Sequence, residues 1–88
     1  MYLLKVKKHV DSIFIKLSKK NPKQLLIISK KILQIRENPQ HYKNLRAPLQ
    51  HWKSVHIDTH FVLVFSVDEN TKTVIIEDFD LHDKVYKK

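Results

Sequence analysis

The 88 residues are read as one domain spanning 1–88, and a chain this short buries only a modest core. With no cysteine, a disulfide framework and thiolate zinc sites are excluded, and a reducing, cytoplasmic setting is expected. With no glycine, P-loop and Rossmann-type phosphate cradles are excluded, and turns must rely on Asn, Asp and Pro.

The net charge of +8 is unevenly spread. Residues 1–57 carry 13 Lys and Arg against Asp11 and Glu37, whereas residues 58–88 carry four Lys against seven acids. A basic body attracts nucleic acid, acidic partners or anionic membranes, or is simply a lysine-rich solvated surface; charge does not choose among these. Lysines outnumber arginines 15 to 2, which suits point-charge contacts with phosphate better than bidentate reading of bases.

In chain order, Tyr2 to Lys8 reads as a strand, with Tyr2, Leu4 and Val6 on one face. Lys5, Lys7 and Lys8 interrupt its apolar pattern, so Met1 to Val10 is neither a signal-peptide core nor a membrane span. Val10, Ile13, Phe14 and Leu17 follow helical spacing, predicting a short amphipathic helix from near Asp11. Asn21-Pro22 starts a second helix, because Asn caps and Pro is preorganised for the first helical position. Its buried stripe is Leu25, Ile28, Ile32 and Ile35, widened by Leu26 and Leu33, and Asn38-Pro39 ends it. So short a link implies an antiparallel helical hairpin. His41 to His51 lacks periodicity and reads as a loop. Trp52 to Ile57, Phe61 to Val67 and Thr73 to Phe79 read as a three-stranded meander, turned by Asp58-Thr59-His60 and Asp68 to Thr71. Leu81 to Lys88 is a short tail with room for one helical turn. The fold class is therefore α+β, in the order β-α-α-β-β-β, with the hairpin on one face of a small, mainly antiparallel sheet and the other face open for a site.

Five of the six histidines lie from residue 41 onward. Imidazole suits general acid–base work near neutral pH. His56 ends one strand and His60 begins the next, so a tight turn brings them together, and His82 can return to the same end of the sheet. Either these are proton-transfer groups, or they are surface histidines with no shared task. A zinc site is disfavoured, since His56 and His60 flank a strand turn and no cysteine accompanies them. Trp52 is read as a packing residue. Tyr86 either anchors the tail or presents its phenol to a substrate.

The run Arg46-Ala-Pro-Leu-Gln-His-Trp-Lys-Ser-Val-His-Ile-Asp-Thr-His-Phe-Val-Leu-Val-Phe65 resembles the second half of RelE/ParE-superfamily toxins. The resemblance continues through Asp68-Glu-Asn and Val74-Ile-Ile-Glu-Asp-Phe-Asp-Leu-His-Asp-Lys-Val-Tyr86. A Pro-Leu loop, an aromatic-plus-basic strand start, an apolar strand, an acidic hairpin and a closing His-x-x-x-Tyr recur in order. With the first strand and the hairpin, the likeness covers nearly the whole chain. His56-Ile-Asp-Thr-His60-Phe and His82 are most similar to the YafQ-like and archaeal RelE-like branch.

The resemblance implies the toxin of a toxin–antitoxin system: a ribosome-dependent endoribonuclease, or mRNA interferase, without cofactor or metal. Its partners would be a cognate antitoxin, messenger RNA and the ribosome, with no membrane. The RNA 2′-hydroxyl would attack the adjacent phosphate while one group removes its proton and another protonates the leaving 5′-oxygen. Carried over by position, His56 and His82 match catalytic histidines, and His60 stands where YafQ-like toxins have a catalytic aspartate. Tyr86 matches a terminal aromatic of the RelE branch. Lys53 matches a basic residue expected to touch phosphate, and Arg46 and Lys43 complete the RNA-binding set. The chain departs from the pattern at Ala47, where YafQ-like toxins have histidine, and at Val62 and Glu77-Asp78, near places where many RelE members carry arginine. Two alternatives share the fold: a ParE-like gyrase inhibitor, and a non-catalytic or decayed binding domain.

Overall fold

The computed structural model describes residues 1–86; Lys87 and Lys88, the end of the expected tail, lie outside the described residues. The elements are β1 (Leu3–Val6), α1 (Lys8–Lys20), α2 (Pro22–Glu37), a 3-10 turn (Pro39–His41), β2 (Lys53–Ile57), β3 (Phe61–Asp68), β4 (Thr73–Leu81) and α3 (His82–Tyr86). The sheet order is β1-β4-β3-β2. The meander pairs antiparallel, and β1 joins β4 in parallel at the edge, with Leu4 opposite Val74. The expected α+β class and element order are those observed.

The local signals act as their chemistry dictates. Asn21 Oδ1 accepts from the Gln24 N–H at 3.2 Å, capping α2, with Pro22 in the first turn. In a chain without glycine, Asp58 (φ 54°) and Lys72 (φ 53°) supply the left-handed turn positions. Asp58 is an expected residue for this, whereas Lys72 is not. α1 starts a turn earlier than expected, at Lys8, which brings fully buried Val10 into the helix.

Two cores lie on the two faces of the sheet. On the helical face, Val10, Ile28, Ile32 and Ile35 pack against Ile57, Leu63, Phe65, Val74, Ile76 and Phe79. Leu26 and Leu33 do not widen this stripe; they are 57% and 49% exposed. At about 100° per residue they fall on the far side of α2 from Ile28 and Ile35. Gln24, 6% exposed, takes an inward place instead and donates to Asp58 Oδ2 at 3.1 Å, tying α2 to the β2–β3 turn.

The opposite face is not left open, contrary to expectation. Leu45 and Val85 cover Val62 and Val64 there, flanked by Leu49 and Trp52. The aperiodic segment after the 3-10 turn and the short α3 therefore form a second layer over β2 and β3. Val62 is fully buried beneath it. Between Ile76 and Phe79, which both reach the first core, the β3–β4 register shifts opposite Val64/Phe65. Glu77 in this bulge accepts from Ser66 Oγ at 2.6 Å and lies 3.8 Å from Lys7 Nζ, while Asp78 faces His9 at 3.5 Å. The acidic pair is thus engaged by Ser66, Lys7 and His9.

Candidate functional site

The site forms where β2 meets α3. Side chains alternate along a strand, so Ser54 and His56 share the face that bears the second core, while Val55 and Ile57 turn to the first. On α3, His82 and Tyr86 are four apart and share one side of the helix, and Val85 between them is driven into the core at 3% exposure. Two residues along a strand advance about 6.6 Å, and four along a helix about 6 Å. The two pairs therefore meet rung to rung. The His56 and His82 rings stack at 5.6 Å and 14°, and Ser54 Oγ and Tyr86 Oη share a hydrogen bond at 2.8 Å. The His82 ring also lies against Tyr86 at 4.4 Å.

α3 is held by its backbone as well. The His82 N–H donates to the His60 carbonyl at 2.7 Å, joining the start of the helix to the β2–β3 turn. His82 Nδ1 lies 3.5 Å from the exposed carboxylate of Asp83.

This lattice floors a groove of about 990 Å³ between α3 and the segment from His41 to Leu49. Lys43 and Arg46 line its outer wall, with His41 beside them. Among the described residues, no Asp or Glu lines it. Its polar side chains are thus cationic, hydroxylic, imidazole or, at Asn44, a neutral amide, which suits an anionic ligand in contact with proton-transfer groups. Among the described residues, no group of three or more His, Asp or Glu side chains is placed to hold a metal ion.

The structure brings together His56, His82 and Tyr86 of the expected catalytic set, and Arg46 and Lys43 of the expected RNA-binding set. The other two, His60 and Lys53, are not in the groove lining. His60 lies in the turn and lines a smaller recess of about 400 Å³, of which His56 and His82 form the shared wall. Lys53 turns its ammonium to the Tyr42 carbonyl at 3.0 Å and Asn44 Oδ1 at 2.9 Å and is not part of the groove lining. Trp52 packs as expected, against the second core and edge-on to His51. Ser54 and His41 were not singled out from sequence. Ser54 was readable in principle, because it stands two residues before His56 on a predicted strand and so shares its face.

No protein-family model matches the chain. It is 57% identical over 88 residues to the Methanocaldococcus jannaschii protein named "Putative toxin RelE4", covering 100% of this chain and 94% of that one. It is 59% identical over 86 residues to an uncharacterized protein of Methanosarcina mazei, covering 98% and 100%. Among solved structures, the RelBE2 toxin–antitoxin complex of Mycobacterium tuberculosis contains a chain with a TM-score of 0.76 and 20% identity, covering 92% of this chain and 98% of that one. YafQ of Escherichia coli gives a TM-score of 0.72 at 14% identity, covering 98% and 99%. At these identities the two structures speak for the fold alone, whereas the M. jannaschii likeness extends along the full sequence. No helix among the described residues is long and apolar enough to cross a membrane. By its full-length identity to that relative and by its fold, the chain belongs to the RelE family of toxins.

Proposed function

We propose that the protein is the toxin of a toxin–antitoxin pair and acts as an endoribonuclease on messenger RNA at the ribosome. The observation that carries this reading is the stacked His56–His82 pair on the floor of a groove that holds Lys43 and Arg46 and no carboxylate among the described residues. RNA cleavage by its own 2′-hydroxyl needs one group to take a proton and another to give one, near a cation that steadies the charge on phosphorus. Two imidazoles on adjoining elements meet the first need. His56, on the rigid strand, and His82, on α3, divide these steps. Tyr86 and Ser54 fix the outer edge of the pair, and Tyr86, 44% exposed, offers a face on which a base stacks. Lys43 and Arg46 meet the backbone phosphates. His60 acts from the smaller recess, beside the nucleotide that leaves the groove past His56.

The partner that restrains the toxin is an acidic, amphipathic protein segment. Its complement is the basic half of the chain, 13 Lys and Arg against two acids in residues 1–57, together with the exposed Ile15, Leu26 and Leu33 of the hairpin. The RelBE2 toxin–antitoxin complex of Mycobacterium tuberculosis among the fold's neighbours supports an antitoxin partner. Induced expression, followed by mapping of RNA ends on translated messages, tests the reading. New ends inside translated frames are expected. Growth arrest with intact messages and inhibited DNA gyrase would replace it with a ParE-like action, and neither effect would leave a binding domain.

A further inference from the structure

Lys53 and Ser54 are neighbours on β2, yet their side chains serve opposite sides of the strand. The Lys53 ammonium donates to the Tyr42 carbonyl and to Asn44 Oδ1, at 3.0 and 2.9 Å. Asn44 passes the link on, its Nδ2 donating to the Gln50 carbonyl at 2.7 Å. Backbone contacts close the same loop: Asn44 bridges Lys53, and the Leu45 N–H donates to the Trp52 carbonyl at 2.8 Å. A line of hydrogen bonds thus crosses the base of the segment that carries Lys43 and Arg46 into the groove. Ser54, next along, engages the Tyr86 hydroxyl at 2.8 Å on the far wall. Both walls of the groove are fastened to consecutive residues of one strand.

We propose that Lys53 and Ser54 are positioning residues, through which β2 sets the width of the groove. Lys53 fixes the loop that presents Lys43 and Arg46, and Ser54 fixes α3 through Tyr86. The functional consequence rests on the RNA-cleaving reading; the clamp itself does not. Lys53 is the decisive case, because its position in the sequence suggests a phosphate contact. Its ammonium instead has two neutral acceptors inside the protein, and hydrogen bonds from a charged donor are about twice as strong as neutral ones. A charge held in this way orders a loop without meeting the ligand.

Hydrogen exchange on the full chain separates the two roles. In Lys53→Met, amides of residues 43–51 should exchange roughly ten- to a hundredfold faster, the usual consequence of losing hydrogen bonds from a charged group. Amides of β3 and β4 should keep wild-type rates. Lys53→Arg, which retains donors for both acceptors, should restore most of the protection. Ser54→Ala should speed exchange in residues 82–86 and leave the loop unchanged. On translated RNA, Lys53→Met should raise KM while kcat stays within a few-fold of wild type, because His56 and His82 keep their places. Wild-type loop exchange in Lys53→Met would overturn the clamp. So would a uniform rise across the whole fold, or a loss confined to kcat. If Lys53→Met does not fold, Asn44→Ala removes the same link from its other end and must show the same local pattern. The exchange measurements need no RNA, so a wild-type protein that cuts none would refute the functional reading while the clamp is still decided by its own data.

Discussion

Replacing His82 by alanine separates chemistry from packing at this site. The side chain is 47% exposed and makes two ring contacts, with His56 at 5.6 Å and Tyr86 at 4.4 Å. A buried aromatic pair contributes about 0.5–1.5 kcal/mol beyond its area, and half-exposure reduces that, so His82→Ala should cost about 1 kcal/mol or less. α3 should survive the change. Val85 remains in the core at 3% exposure, and the hydrogen bond to the His60 carbonyl comes from the backbone of residue 82, not its ring. Loss of one partner in proton transfer removes roughly 10²–10⁴-fold in rate. Denaturant unfolding and single-turnover cleavage of ribosome-bound messenger should therefore diverge sharply, with antitoxin binding retained as a control for the tail. Wild-type cleavage in a well-folded His82→Ala protein would refute the assignment. A stability loss of several kcal/mol would refute the claim that Val85 holds the helix.

Further outcomes follow from the same geometry. Val85→Ala deletes two carbons from the second core, at roughly 0.8 kcal/mol each plus a cavity term, so thermal unfolding should report a loss of about 1.5–2.5 kcal/mol. Cleavage should fall as well, because α3 then undocks and unstacks His82 from His56; unaltered activity at that stability loss would count against the lattice. Lys43→Gln and Arg46→Gln should each lower the slope of log affinity against log salt for single-stranded RNA by about 0.7, the share of one phosphate contact, and an unchanged slope would remove that residue from the RNA path. An acidic amphipathic partner should raise the melting temperature with its concentration, adding about 2.7 kcal/mol at a hundredfold excess over Kd, and a flat melting curve would exclude it as the restraint.

Much of the framework was legible because it rests on periodic signals. The run Phe61 to Phe65 and its neighbours alternate between two cores, and Asn21-Pro22 marks the join of the helices by capping chemistry alone. The second layer was not legible. It hangs on isolated anchors, Leu45, Leu49, Trp52 and Val85, whose spacing fits neither helix nor strand. Missing that layer made α3 look like a loose tail, and it hid how Ser54 and Tyr86 meet. Leu26 and Leu33 misled for the opposite reason: they are apolar, but lie on the outer side of a helix whose inward place is filled by Gln24. The pairing of His56 with His82 was readable only as proximity at one end of the sheet. Its stacked geometry depends on the match between strand and helix spacing. The Lys53 clamp had no sequence signal, since one of its two acceptors is a backbone carbonyl and the other lies in the aperiodic segment.

The most direct test of the central claim is the chemistry of the RNA ends. Purified toxin would be given translating ribosomes, with no divalent ion beyond what ribosomes require, and the termini of the products identified. Attack by the 2′-hydroxyl with proton transfer through His56 and His82 predicts a 2′,3′-cyclic phosphate on one fragment and a 5′-hydroxyl on the other, both absent with the His56→Ala, His82→Ala double variant. Fragments ending in 3′-hydroxyl and 5′-phosphate, or cleavage undiminished in the double variant, would contradict it.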